Sequence, residues 1–427
     1  MRNKILFVFL LTMLQNISFA QVFNVKAYGA KGDGKTNDYF SILKAVDKLN
    51  KQGRGKLIFP KGVYYIDKFS SKNSEFSDIQ FTNLTLLEIV GNNSKIVLNA
   101  KFHRGVERTK GNYSYSSSKT ITPLSLLNCT NVTISDLEID GGAKYSTRDS
   151  KVVESGGRLL VFSNTHNVIL NNLYLHHGLT DGIYVSNNSS NIRGTNINSS
   201  NNARQGISLI QGNKIHFRNS KFNSNGDTEG KYLGHNPMSG IDIEPSGNGG
   251  VSDISFIKCE FKGNLGSQVI ITKPNFTNNI RIQNSQISAG ISQGIYQLIL
   301  AGRGVTIESN NIDCGKGSIY ALWNNFPNSE LYMYNNIISS SGAGIVAVSK
   351  KTGAKVVIEK NTILYTGKDA VSKYFPYIVA DIEFNNNKIV IGKLRKNAVN
   401  SLIRSKTSFN NTFSDGKKSF SPNVRVK

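Results

Sequence analysis

The sequence predicts an all-β fold, a right-handed parallel β-helix (solenoid) with an N-terminal capping helix, and three observations carry that expectation. An eight-residue pattern, apolar-x-apolar-x-x-x-x-apolar with Asn frequent at the fifth or sixth place, recurs through most of the chain. It reads "VILNNLYL" at 168, "IHFRNSKF" at 215, "ISFIKCEF" at 254, "IRIQNSQI" at 280, "VTIESNNI" at 305, "LYMYNNII" at 331, "VVIEKNTI" at 356 and "IEFNNNKI" at 382, with "IRGTNINS" at 192 ending in Ser. Successive starts lie 24, 23, 39, 26, 25, 26, 25 and 26 residues apart, and so steady a period marks a repeat architecture. Each period also holds a second short strand, often opened by Gly: "DGIYVS" at 181, "QGISLI" at 205, "SGIDIE" at 239, "QGIYQL" at 293 and "AGIVAV" at 343. The apolar spacing is two rather than three to four, which excludes a helical solenoid.

Coils of short strands stack ~4.8 Å apart in such a fold. Asn residues at equivalent bends can then hydrogen-bond along the stack, so most of them are read as structural. An open end coil exposes core and unpaired strand edges and needs a cover. The segment "DYFSILKAVDKLN" places Tyr39, Ile42, Leu43, Val46 and Leu49 on one helical face and is the expected N-terminal cap.

The remaining segments follow in order. Residues 1–20 combine Arg2 and Lys4, the apolar run "ILFVFLLTML" and the small-x-small end Ser18-Phe19-Ala20, and are expected to be a cleavable signal peptide. No Cys follows that run, which argues against a lipoprotein anchor, and no later apolar segment approaches the ~18 residues of a membrane span. Residues 21–397 are expected to be β-helix, and 398–427, where the repeat is lost, a basic C-terminal cap or tail. No Pro-rich or Gly/Ser linker divides the chain. Secretion or a periplasmic location is expected, with a monomer, since two capped ends argue against open-ended stacking.

Composition narrows the partners. The net charge is +23, from 51 Lys and Arg against 28 Asp and Glu. For an exported protein such a field suits an acidic polysaccharide or an anionic cell surface rather than nucleic acid. Cys129, Cys259 and Cys314 lie in strand-like apolar contexts without CxxC or His spacing, and an odd count in that setting indicates buried thiols.

Residues 23–66, "FNVKAYGAKGDGKTNDYFSILKAVDKLNKQGRGKLIFPKGVYYI", resemble the N-terminal module of the pectate-lyase superfamily. These pectin-lyase-like β-helix proteins include family 28 polygalacturonases, polysaccharide lyases and phage tailspikes. The runs "YGAKGDGKTND" and "FPKGVY" carry the likeness, the module spans about 22–66, and the coils extend it over most of the chain. The resemblance implies the fold and a carbohydrate substrate without naming a reaction. Asp181 in "HHGLTDGI" resembles the Asp of the family 28 "NTDGI" segment. The sequence departs from that family elsewhere: Arg204-Gln205 stands where it carries a paired Asp, Met238-Ser239-Gly240 where it carries Gly-His-Gly, and Thr272-Lys273 where an Arg-x-Lys is expected.

Two periods are long, with insertions at about 141–157 and 226–238, each just before a Gly-led strand. Insertions at one corner of a solenoid project from one face and commonly wall the binding side. Aligning the Gly-led strands puts Asp181, Gln205, Ser239 and Ser267 in one row, Tyr184, Ser208, Asp242, Ile270 and Tyr296 in a second, and Ser186, Ile210, Glu244 and Thr272 in a third. Since Ile241 and Ile243 point inward, Asp242 and Glu244 point outward. Outward residues two apart are separated by ~6.6–7 Å and coils two apart by ~9.5 Å. Asp242 with Glu244, or Asp242 with Asp181, therefore meets the ~6.5–9.5 Å separation of an inverting glycosidase. The alternatives for those carboxylates are a solvated strand face or a Ca2+ site.

The expected function is that of a secreted enzyme cleaving glycosidic bonds in an acidic polysaccharide, with Asp242, Glu244 and Asp181 as catalytic candidates and hydrolysis slightly favoured. A lyase or C5-epimerase is the first alternative, with Lys273 or Arg204 as base and Ca2+ held by the carboxylates. No cofactor is otherwise expected, and no residue is singled out as a metal ligand. A non-catalytic glycan-binding or adhesion β-helix is the second. Arg204 suits a bidentate grip on a substrate carboxylate or sulfate, or an ion pair with Asp181 or Asp242. Gln205, Lys273, His176, His177 and His235 are further substrate-binding candidates, with Tyr232 beside His235. Tyr296 with Trp323, the single Trp, would form a sugar-stacking platform or else pack as ordinary β-helix surface.

Overall fold

The computed structural model describes residues 21–67, 78–99, 101, 103–105, 108–110, 113–116, 120–149, 151–226, 234, 236–246, 249–290, 296–320, 329–348, 355–367, 375–379, 382–391, 403–404, 410–414 and 418–420. The expected signal peptide, His235, Tyr232, Trp323 and most of the expected C-terminal cap lie outside the described residues.

The chain winds as a right-handed parallel β-helix whose coils contribute to three sheets. The longest runs from Val22–Asn24 to Glu383–Asn385. A second, formed by the Gly-led strands, runs from Gln80–Thr82 to Ile403–Arg404, and a third from Glu260–Lys262 to Ser419–Phe420. The eight-residue pattern sets the register: Val168 pairs with Ile192, Ile192 with Ile215, Ile215 with Ile254, Ile254 with Ile280 and Ile280 with Val305. Pairs Val305–Leu331 and Leu331–Val356 continue it. Inward apolar residues such as Val168, Leu170, Ile192, Ile215, Phe217, Ile254 and Phe256 are buried in one core along the solenoid axis.

Adjacent Asn residues at the bends do two different jobs. The first turns the chain through the left-handed region, as at Asn335 (φ 56°) and Asn386 (φ 55°), a conformation that Asn tolerates better than most side chains. The second points inward and builds a buried ladder. Asn310 donates its side-chain amide to Asn336 Oδ1 (3.1 Å), Asn336 to Asn361 (2.9 Å), Asn361 to Asn387 (3.2 Å) and Asn387 to Asn411 (3.1 Å). In the early coils the long strand carries on through the bend, as in Thr130–Asp140, His166–His176 and Ser189–Ser200, so one element supplies two faces.

The cap forms as the periodicity predicts. The helix spans Tyr39–Gln52, buries Tyr39, Ile42, Ala45, Val46 and Leu49, and ends at Gly53 with φ 74°. The "YGAKGDGKTND" run folds back onto its start: the buried Asp38 accepts the backbone N–H of Lys31 (2.6 Å) and Gly32 (3.0 Å). "FPKGVY" docks beneath it, with Tyr64 donating to Pro60 O (2.6 Å) and Gly62 lying so close to Gly32 O that a Cβ would sit 2.6 Å away.

The structure departs from expectation in two places. The solenoid runs on into the segment expected to be a cap: Ile403–Arg404 pairs with Ile378 and Val379, and Thr412–Ser414 with Lys388–Val390. Tyr296 does not share the row of Asp242. The ladder sets Ile299, not Tyr296, opposite Ile270, while Tyr296 faces Ser318 on the following strand. All three cysteines are free and buried, as expected, and burial pushes the Cys259 thiol up to about 12. No helix among the described residues is long and apolar enough to cross a membrane.

Candidate functional site

Three consecutive Gly-led strands, Ile183–Ser186, Ile207–Leu209 and Ile241–Ile243, carry the main cluster. Their register places Tyr184 beside Ser208 and Ser208 beside Asp242. Ile241 and Ile243 fill the core, and alternation turns Asp242 to the opposite face. That face is not the solvated surface that exposed acids usually occupy: Asp242 is 2% exposed. Its carboxylate accepts a hydrogen bond from the side-chain amide of Gln205, whose carbonyl in turn accepts from Ser208, and both partners are buried. Gln205, expected to touch substrate, instead lines the carboxylate.

Burial pushes the Asp242 carboxyl up, and the nearby Glu244 charge adds to it. Arg204 and the Gln205 amide oppose them, and the balance is a pKa of about 7. Glu244, one step past the strand, has a different setting. It is half-exposed and pairs with Lys273 Nζ (3.4 Å), which also donates to Pro245 O (2.8 Å). Two carboxyls two residues apart thus differ in solvation as an acid–base pair must.

Asp181 is fully buried between two guanidinium groups, with Arg158 Nε and Arg204 NH1 each 3.6 Å from its Oδ2. Neither carboxylate oxygen accepts a hydrogen bond, and Thr180 Oγ1, Ser239 Oγ and Arg158 Nε are also buried without one. Buried polar atoms without a hydrogen bond are uncommon in native folds. Arg158 also lies over the Tyr184 ring, 3.9 Å from its centroid, and Arg204 Nε donates to Asn236 O (3.2 Å). The ion-pair alternative for Arg204 is therefore the one the structure contains.

His176 and His177 sit where the long strand His166–His176 turns toward Asp181, and they join a separate cluster. His176, buried and stacked on Tyr174 (centroids 4.1 Å), bonds Glu138 Oε1 through Nε2 (3.0 Å) and His177 Nδ1 through its own Nδ1 (2.6 Å). His177 Nδ1 lies 3.7 Å from Asp140 Oδ1, and Lys95 bridges Glu138 (2.8 Å) and Asp140 (3.2 Å). Burial raises the Glu138 and Asp140 carboxyls, but their cationic and hydrogen-bonding neighbours outweigh it and hold both below the ordinary range. Burial pulls the His176 imidazole down despite Asp140 and Glu138. Asp140, His176 and His177 are the described His, Cys, Asp and Glu residues grouped closely enough to hold a metal ion.

Tyr296 is exposed and stacks on Tyr320 (4.5 Å, 29°), an aromatic surface two strands beyond Ile241–Ile243 on the same sheet. Of the walls expected around the groove, the 141–157 insertion is largely described. Its base packs against the His177 turn through Ala143 N–H to His177 O (2.9 Å).

Known proteins give the fold its relatives. A family described as rhamnogalacturonase A/epimerase, pectate lyase-like, matches residues 22–77. Its match coincides with the cap and the first strands, and the coils that follow form one continuous parallel ladder. The chain is a parallel β-helix whose N-terminal residues resemble that family. Alginate lyase 7 of Azotobacter vinelandii is 48% identical over 44 residues, which is 10% of this chain and only 5% of that protein. Among solved structures, the surface adhesin PfbA of Streptococcus pneumoniae superposes with a TM-score of 0.50 at 15% identity, covering 92% of this chain and 91% of its own. The A-module of the Azotobacter vinelandii mannuronan C-5 epimerase AlgE4 gives 0.49 at 14% identity, covering 95% and 100%. At such identities the likeness is one of fold.

The sequence reading of this β-helix missed Arg158, Glu138, Asp140 and Lys95. A signal for two of them was present. "VTISDLEID" at 132 repeats the coil pattern 36 residues before 168, and aligning the two sets Glu138 beside Tyr174 and Asp140 beside His176, as the ladder does.

Proposed function

We propose that this β-helix is a secreted glycoside hydrolase acting on an acidic polysaccharide, with Asp242 as the proton donor and Glu244 as the carboxylate that activates water. The observation that carries the reading is the contrast between the two groups. Asp242 is sealed from solvent and holds its proton to about pH 7, whereas Glu244 stands half-exposed against Lys273. Protonation of the leaving oxygen needs a carboxyl of this raised kind, and activation of water needs an ionised one.

Arg158 and Arg204, already gathered on Asp181, supply positive charge on the same face for a uronic acid carboxylate or a sulfate. The net charge of +23 draws such a chain in from a distance. The residues considered as elimination bases are otherwise engaged: Lys273 donates to Pro245 O and pairs with Glu244, and Arg204 is held by Asp181 and Asn236 O. That engagement favours hydrolysis over a lyase or epimerase.

The test is incubation of the mature protein with pectins, alginate, glycosaminoglycans and sulfated algal glycans, following reducing ends and unsaturated-product absorbance together, with and without EDTA. Reducing ends alone support the proposal. Both signals rising together replace hydrolysis with elimination, and silence in both with glycan binding retained replaces the enzyme with a binding protein.

A further inference from the structure

The cluster at the His176–His177 corner has no part in the chemistry assigned to Asp242, and its donor atoms converge. We propose that Asp140, His176 and His177 bind a divalent first-row transition-metal ion of the Zn2+ type, through one carboxylate oxygen and two imidazole Nδ1 atoms.

The donor geometry comes first. The ligand atoms of the three residues lie within 4.8 Å of one another. His176 Nδ1 to His177 Nδ1 is 2.6 Å and His177 Nδ1 to Asp140 Oδ1 is 3.7 Å. Ligand atoms on a tetrahedral zinc with bonds of ~2.0–2.1 Å stand roughly 3.3 Å apart, between these two distances.

The supporting shell is the second observation. His176 Nε2–H donates to Glu138 Oε1 (3.0 Å), which fixes the tautomer and leaves Nδ1 as a lone pair. Lys95 anchors Glu138 and holds Asp140 Oδ2 (3.2 Å), and the Gly142 N–H steadies Asp140 Oδ1 (3.2 Å). Carboxylate–imidazole pairs of this kind orient metal-ligating histidines.

His177 supplies the third. It sits in the left-handed region (φ 55°), where its partner in the next coil, Asn201, sits too (φ 56°), the two linked through His177 N–H to Asn201 O (3.1 Å). The turn is satisfied by Asn, so local conformation does not call for an imidazole there. The donor set also selects the ion. Two nitrogens and one oxygen suit a borderline cation, whereas Ca2+ takes six to eight oxygens.

The test is calorimetric titration of the EDTA-stripped, full mature chain with Zn2+ and separately with Ca2+, and with Co2+ followed by its visible absorption. One equivalent of Zn2+ is expected, with tetrahedral Co2+ absorption and no competition from Ca2+. His177→Gln, on the half-exposed ring, loses the stoichiometric event while keeping the wild-type circular dichroism and melting curve. Glu138→Gln weakens binding by about 10–100-fold. His103→Gln, which removes the exposed His103 near Asp149 (3.4 Å), leaves binding unchanged. Absence of binding to the wild type, or equal Zn2+ binding by wild type and His177→Gln, overturns the proposal and leaves a hydrogen-bonded His pair. These readouts are independent of catalysis, so their failure does not touch the role given to Asp242.

Discussion

Gln205 and Asp242 are 37 residues apart in sequence and joined, in adjacent coils, by a hydrogen bond buried from solvent. The stacking of one coil on the next creates that contact, and the dryness it brings keeps a carboxyl protonated near neutrality. If Asp242 donates the proton, Asp242→Asn lowers turnover by about 10²–10⁴-fold while glycan binding persists. In the wild type the rate falls as pH rises through about 7, where Asp242 ionises. A pH–rate profile with no loss on that limb, or an active Asp242→Asn, removes Asp242 from the chemistry.

The same group makes stability depend on pH in the direction opposite to a salt-bridged carboxylate. The folded Asp242 keeps its proton to about 7, whereas an unfolded one releases it near 3.8. The native state therefore binds more protons over that window, and stability falls as pH rises through it. Relative to Asp242→Asn, the wild type should lose up to about 4 kcal/mol between the two pKa values. Melting curves of both proteins across the window check the sign: their difference widens with pH and is flat above it.

The ladder was legible because its cause is local. Two-residue alternation recurs in every period, with Asn at most of the bends, so the strands from Val168 to Ile382 and the Tyr39–Gln52 cap could be placed from sequence. The environment of Asp242 was not legible. Alternation gives the direction of a side chain, but whether that face is wet depends on Gln205 and Ser208 from a neighbouring coil and on the adjacent Ile270. The row assigned to Tyr296 failed for a related reason: the ladder sets Ile299, not Tyr296, opposite Ile270, and no composition signal marks the longer spacing between those coils.

Asp181 holds two guanidinium groups together, and its removal exposes their repulsion. Asp181→Ala leaves the Arg158 and Arg204 charges uncompensated by the carboxylate they share and should cost about 3 kcal/mol. Adding Arg158→Met to that variant should recover part of the loss, because one of the two uncompensated charges goes. Denaturant midpoints of the single and double variants decide it; equal midpoints in wild type and Asp181→Ala would show that Asp181 does not neutralise the pair.

Lys273 separates hydrolysis from elimination. Its pair with Glu244 is half-exposed, so Lys273→Met should change stability by no more than about 1 kcal/mol. Under the hydrolytic reading the variant keeps measurable release of reducing ends, since Lys273 only pairs with the Glu244 carboxylate and neither gives nor takes the reaction's proton. Complete loss of turnover with the fold intact would make Lys273 the base of an elimination.

The paired Asn residues at one bend give the last prediction, because the two neighbours should respond in opposite ways. Asn336 accepts from the Asn310 backbone N–H (3.0 Å) and side chain (3.1 Å) and donates to Ile307 O (2.8 Å) and Asn361 Oδ1 (2.9 Å). Asn336→Ala strands several buried polar groups and should cost about 3 kcal/mol. Asn335, exposed with φ 56°, serves only the turn, so Asn335→Gly should lie within about 0.5 kcal/mol of wild type. Since each coil of a solenoid touches only its neighbours, hydrogen exchange in Asn336→Ala should quicken in the strands Arg303–Glu308, Glu330–Tyr334 and Lys355–Glu359 and stay unchanged at Ile241–Ile243. Faster exchange spread evenly from one end to the other would mean that the ladder couples the whole solenoid rather than pinning one bend to the next.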